Sequence, residues 1–150
     1  MADLKWIFKS FNELSVSELY DILKLRSEVF VVEQNCVYPD MDDKDQASYH
    51  FCGWLEDKLV AYVRILPPGI AFKEASIGRV STSLSYRKNG TGRVLMQKAI
   101  DLTLKQFEDA GIQIGAQLYL DKFYSSLGFH QIGEGYMEDG IPHIHMLFSK

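Results

Sequence analysis

The stretch from Ile77 to Leu95, IGRVSTSLSYRKNGTGRVL, limits what this chain can fold into more than any other. A run rich in β-branched residues is followed by a Ser-rich turn, and RKNGTG then leads straight into an apolar helical pattern. The pattern predicts a strand, a loop and a helix N-terminus in succession. The first turn of a helix leaves backbone N–H groups without intrahelical partners, and the helix dipole adds partial positive charge at the same end, so the junction is suited to an anion such as phosphate. Gly90 and Gly92 allow close backbone approach or positive φ, and Arg87, Lys88 and Arg93 add charge around them. A nucleotide P-loop would need GxxxxGK followed by Ser or Thr, and a dinucleotide fingerprint would need a third Gly where Leu95 stands. Neither fits. An ordinary Gly-containing turn before a helix accounts for these six residues equally well until the rest of the chain is read.

The 150 residues are a natural length for one domain, here 1–150, with enough apolar sequence to build a core without disulfide or metal. The net charge of −4 argues against a general nucleic-acid binder, which needs a basic face to displace counterions. It is compatible with a cationic substrate. Cys36 and Cys52 lack CxxC spacing, nothing at the N-terminus reads as a signal peptide, and no apolar run approaches membrane-spanning length. These features predict a cytoplasmic protein with reduced thiols and no membrane partner.

Lys5 to Phe11 alternates as a first strand, and Asn12 to Ser15 is a polar break. The helix that follows carries a stripe of Val16, Leu19, Tyr20, Leu23 and Ser27, widened by Ile22, Leu25 and Val29, with Ser15 or Ser17 as cap and Glu18 in the first turn. Arg26 lies at the edge of that stripe, where an Arg ordinarily snorkels to the surface. The DMDDKD loop has Lys44 and Asp45 where an EF-hand needs an acid or amide and a Gly, so it reads as a solvated acidic loop. Its functional version is that Glu33 and some of Asp40, Asp42, Asp43 and Asp45 draw in a cationic substrate.

Tyr49 to Glu56 and Lys58 to Leu66 form a hairpin pattern, ended by Pro67, Pro68 and Gly69. The strand of the opening segment precedes a helix from about Gly92 to Ala110, with Leu95, Met96, Ala99, Ile100, Leu102 and Phe107 facing inward and Gly111 as its stop. Ile112 to Leu118 is the next strand, and Tyr119 to Leu127 is a short helix closed by Gly128. Phe129 to Tyr136 and Ile141 to Phe148 are strands about the turn MEDGIP. The predicted order is β-α-β-β-β-α-β-α-β-β.

That order, RxxGxG at Arg87, Gly90 and Gly92, and Tyr124, Gly128 and Phe129 in YLDKFYSSLGF together resemble the GNAT superfamily of N-acetyltransferases. LRSEVFVVEQNCVYPDMD, IGRV, Ala116 with Gln117, FYSSLGF and EDGIPHIHM further resemble the ElaA family, from about Trp6 to Met146. Tyr119 departs from that pattern, standing where a His is expected, so no role of that His carries over. The resemblance implies an α/β fold with a mixed sheet, the GNAT acyl-CoA N-acyltransferase fold, whose splayed central strands admit the pantetheine arm. Acetyl-CoA is the implied co-substrate, with no metal, and a homodimer is expected by analogy.

The same resemblance sets Val80 and Thr82 beside pantetheine, with the Val80 N–H holding the thioester carbonyl. Arg87, Lys88, Asn89, Gly90, Thr91, Gly92 and Arg93 would bind the pyrophosphate. Tyr124 is the first-choice catalytic residue, a phenol that can protonate the departing thiolate; an aromatic on a short amphipathic helix also serves as plain core. The acceptor amine must lose a proton, and Glu33 and His143 are the candidates for base or substrate contact, with Glu134, Glu138 and Asp139 nearby in sequence. The position four residues before Val80, where many relatives carry a Glu, is Ser76, and Glu74 is out of register. His143 and His145 share a strand face but lack a third ligand at a telling spacing, so a substrate or structural role is preferred to a metal pair. Arg26 and Gln117 are expected to orient a substrate carboxylate or Glu33, or to satisfy a buried network.

The predicted reaction is therefore acetyl transfer to a primary amine of a small molecule or peptide. Two alternatives share the fold. A non-catalytic acyl-CoA sensor would keep the cradle without the chemistry, against which Tyr124 weighs. Acyl-homoserine-lactone synthases also carry an Arg followed by Val-Phe, as Arg26, Val29 and Phe30 do here, but they are longer and lack RxxGxG as written.

Overall fold

The computed structural model describes residues 3–108 and 111–148, with only the backbone of Lys88 and Asn89. The elements are β1 (Lys5–Ser10), α1 (Val16–Arg26), β2 (Tyr49–Leu55), β3 (Lys58–Leu66), β4 (Ser76–Thr82), α2 (Thr91–Gln106), β5 (Gln113–Gln117), α3 (Asp121–Ser125), β6 (Phe129–Glu138) and β7 (Ile141–Phe148), in the predicted order. The strands form two antiparallel sheets, β1-β2-β3-β4 and β5-β7-β6. One parallel bridge, Ala75 to Ile112, joins them, with the Gln113 N–H donating to the Ala75 carbonyl at 2.9 Å. Past that bridge β4 and β5 share no ladder, which is the splay expected of the fold.

Side-chain alternation on β3 divides the core. Ala61, Val63 and Ile65 turn towards Leu95, Met96, Ala99 and Ile100 of α2, while Leu59 and Tyr62 join Cys52 against Ile22, Leu25 and Val29. The first sheet is thus covered by a helix on each face. Ser15, not Ser17, caps α1: its hydroxyl accepts from the Glu18 N–H, and the Glu18 carboxylate accepts from the Ser15 N–H.

The buried face of α1 differs from the expected stripe. Val16 and Tyr20 are exposed, whereas Ile22, Leu25 and, just past the helix, Val29 are buried as expected, and Arg26 joins that buried face. Arg26 stands at its centre with no exposed surface, because its guanidinium donates to Asp40 and Asp45, each at 2.8 Å. Helix α2 also ends earlier than predicted. Phe107 leaves helical geometry at φ −127° and ψ 68° while its ring packs edge-on to Tyr49; residues 109 and 110 lie outside the described part.

The acidic loop is not a solvated steering surface. Arg64 of β3 donates to both Asp42 oxygens at 2.7 and 2.9 Å and to Asp45 at 3.0 Å, and Arg79 of β4 donates to Asp40 at 2.8 Å. Asp40 and Asp45 are buried, and Asp43 is the exposed one of these aspartates. Burial alone would raise the carboxyl pKa values of Asp42 and Asp45, but their arginine partners outweigh it and hold both below the usual range. The loop is thereby fastened to α1, β3 and β4. His50 extends the fastening: its Nε2 donates to the Asp45 carbonyl at 3.0 Å, which leaves Nδ1 to accept from the Tyr62 hydroxyl at 2.7 Å.

Candidate active site

The splay between β4 and β5 opens a cavity of about 330 Å³. Its walls are β4 from Ile77 to Thr82, β5 from Ile114 to Gln117, Tyr124 of α3, the chain beyond α1, and the β6–β7 turn with His143. The chain beyond α1 winds as a π-helix, Ser27–Glu33, and lines the cavity with Phe30 and Glu33. Such wide turns are common at functional sites because they re-aim side chains without ending the helix.

Strand β4 carries a bulge here. Its register with β3 runs from Tyr62 opposite Ser81 to Arg64 opposite Gly78, so Val63 faces two residues, Arg79 and Val80. Arg79 adopts φ +52°, a conformation costly for a side-chain-bearing residue. Its ion pair with Asp40 and its position over the Tyr38 ring, 5.9 Å from the centroid, compensate. The bulge takes Val80 out of the β3 ladder at the middle of the cavity wall, and the β4 edge facing β5 has no strand partner there.

At the outer end of β4, Gly90 has φ +70° and begins α2, a helix of 16 residues. A Cβ on Gly90 or Gly92 would meet nothing within 4 Å, so the backbone of the first turn can be approached closely. The N–H groups of that turn, which helix geometry leaves without intrahelical partners, and the free strand edge suit the phosphates and pantetheine amides of coenzyme A. The side chains of the predicted cradle have definite partners. Arg87 donates to both Glu33 oxygens at 2.6 and 2.9 Å and to the Thr82 carbonyl at 2.9 Å. Arg93 lies over Phe123 and donates to Ser126, tying α2 to α3. Thr91 is buried, and the side chains of Lys88 and Asn89 lie outside the described residues.

Tyr124 packs edge-on to Phe123 and Phe129 and has only 6% of its surface exposed. Burial, helped by Tyr119, pushes its phenol up to about 12, so it keeps its proton throughout the neutral range. The Glu33 carboxyl is held below its usual value by Arg87 hydrogen bonds, which outweigh the opposing effect of burial. His143 stacks on Tyr136 and is hydrogen-bonded through Nδ1 to the Ile141 carbonyl at 2.7 Å. A carbonyl only accepts, so Nδ1 carries a proton, and Nε2, 3.6 Å from Glu138, is the nitrogen that holds the lone pair when the ring is neutral.

Of the other predicted residues, Gln117 is in the cavity wall, 3.4 Å from Gln34, whereas Arg26 does not reach it. Of the two roles expected for Arg26, the substrate contact is corrected and the buried network is the one found: its donors are engaged by buried aspartates. Glu138 and Asp139 line the cavity, and Glu134 is exposed outside it. His145 also stacks on Tyr136 and meets Phe72 edge-on, and no third metal-binding side chain joins the two histidines among the described residues. Sequence reasoning missed Phe30, Tyr38, Arg79 and Gly115. Arg64, a charge inside the apolar strand VAYVRIL, could have signalled the need for a buried counter-ion.

A splayed α/β fold whose cleft holds a free strand edge and a protonated phenol, followed by a glycine-bearing helix start, is the architecture of an acyl-CoA-dependent N-acyltransferase. Residues 13–150 match the family model "Acetyltransferase (GNAT) domain". The ElaA protein of Escherichia coli is 44% identical over 95% of each chain, and its crystal structure superposes with a TM-score of 0.91 over 97% of this chain and 99% of that one. An acyl-CoA N-acyltransferase from Pseudomonas aeruginosa superposes with a TM-score of 0.93 at 38% identity, covering 97% and 99% of the two chains. The chain belongs to the GNAT acetyltransferase family and, within it, to the ElaA group. The acyl-homoserine-lactone synthase LasI shares 11% identity at a TM-score of 0.75, a likeness of fold alone.

Proposed function

We propose that this chain, as one domain over 1–150, moves the acetyl group of acetyl-CoA to a primary amine of a small molecule or peptide by direct attack in a ternary complex. The observation that carries the reading is the facing of the released β4 edge at Val80 and the Tyr124 phenol across one cleft. The donor supplies an activated thioester. The Val80 N–H polarises the carbonyl and steadies the charge that develops on its oxygen, with the Thr82 backbone aligning the arm. The backbone from Arg87 to Arg93 seats the pyrophosphate.

The amine enters between the π-helix and the β6–β7 turn. Its nitrogen bonds to the acetyl carbon, the carbon–sulfur bond breaks, and sulfur leaves with the electron pair. Tyr124 donates its proton, or a strong hydrogen bond, to that sulfur. His143 is the better base of the two candidates, because its tautomer leaves Nε2 free to accept the ammonium proton, whereas Glu33 is bound to Arg87. Phe30, Tyr119 and Ile141 give the acceptor side an apolar lining that suits an amine on an apolar carbon frame. The chain is proposed to work in the cytoplasm.

The test is thiol release from acetyl-CoA against a panel of polyamines, amino acids, aminoglycosides and peptide N-termini. The expected result is turnover on a narrow set of amines, reduced on the order of a hundredfold in Tyr124→Phe with coenzyme A affinity retained. Coenzyme A binding without turnover on any amine would instead support a sensor, and no binding would remove the reading altogether.

A further inference from the structure

Arg87 holds two things at once. Its guanidinium makes a two-point ion pair with Glu33 across the cavity mouth, and the same side chain donates to the Thr82 carbonyl at the end of β4. Glu33 belongs to the π-helix on the acceptor side, whereas Arg87 opens the phosphate loop on the donor side. Both side chains are partly open to solvent, at 35% and 38% exposure. Water and dissolved ions therefore reach both groups, and a second anion can compete with the carboxylate for the guanidinium. A pyrophosphate seated at the start of α2 is a stronger and more highly charged partner for a guanidinium fork than one carboxylate.

We propose that Arg87 exchanges Glu33 for the donor's pyrophosphate, and that the carboxylate so released anchors the ammonium of the acceptor. The inference rests on the pyrophosphate seat proposed above. Before exchange, Glu33 is neutralised and Arg87 covers the Thr82 carbonyl; afterwards a free carboxylate stands beside Phe30 on the acceptor wall. The two substrates thus communicate through one ion pair, and Glu33 acts as a positioning residue for the amine.

The test is calorimetric titration with coenzyme A, without any acceptor, for wild type, Glu33→Gln, Arg87→Gln and the double variant. Glu33→Gln releases Arg87 in advance, so coenzyme A should bind roughly two- to fivefold tighter. That gain should vanish when Arg87 is already Gln, and pantetheine, which lacks the pyrophosphate, should show none. A gain that persists in the Arg87→Gln background would reflect general charge and overturn the exchange, as would unchanged or weaker binding in Glu33→Gln. Failure of wild type to bind coenzyme A would instead remove the underlying seat.

Discussion

At the scale of single residues, the site separates groups the sequence could mark from groups it could not. Tyr124 and His143 were marked by the resemblance carried in YLDKFYSSLGF and EDGIPHIHM, and both line the cavity. His143→Ala should lower thiol release on the order of a hundredfold while leaving coenzyme A binding unchanged; unchanged thiol release would remove it as base. Arg79 was illegible because nothing in IGRV announces a positive φ. For Arg26 the sequence left a surface, a substrate and a buried-network role open, and only the tertiary fold, which supplies Asp40 and Asp45, selects the last. Gly115 shows the same dependence: a Cβ there would lie 2.6 Å from the Tyr136 hydroxyl, a clash created by a residue 21 positions away in sequence.

At the scale of elements, the strands, helices and their order followed from periodicity and turn residues, while the loop of residues 35–48 did not. Its carboxylates resemble a solvated run in composition, yet they are the counter-ions that allow Arg26, Arg64 and Arg79 to sit inward. The hub is Asp45, bonded to both Arg26 and Arg64. Asp45→Ala would leave two buried guanidinium groups short of a partner, and breaking a buried pair in this way costs about 3–5 kcal/mol. Chemical denaturation should therefore show a loss of that size, and a loss under about 1 kcal/mol would mean the loop is held by other contacts. The π-helix was equally unforeseen, since a helix pattern fading near Asn35 carries no sign of its wider turn.

At the scale of the whole molecule, these buried groups together set how stability depends on pH. Burial, reinforced by Arg26 and Arg64, lowers the pKa of His50, so the fold holds it neutral while the unfolded chain takes a proton below about 6.5. Below that value the unfolded state binds more protons and stability falls with pH. Asp42 and Asp45 act in the same direction lower down: their pKa values are depressed in the fold, so stability is lost further as pH drops below about 3.9. The alkaline side has the opposite sign. Burial raises the Cys52 thiol to about 12, so stability is full below about 8.5, where the unfolded thiol ionises, and is lost as pH rises from there towards the folded value. Thermal unfolding should accordingly give a plateau from about pH 6.5 to 8.5, with a two-stage decline in acid. His50→Asn should remove the upper acid stage and leave the lower one, because the aspartate network stays. A single-stage decline in wild type, or an unchanged upper stage in His50→Asn, would show that His50 does not carry the neutral-range dependence.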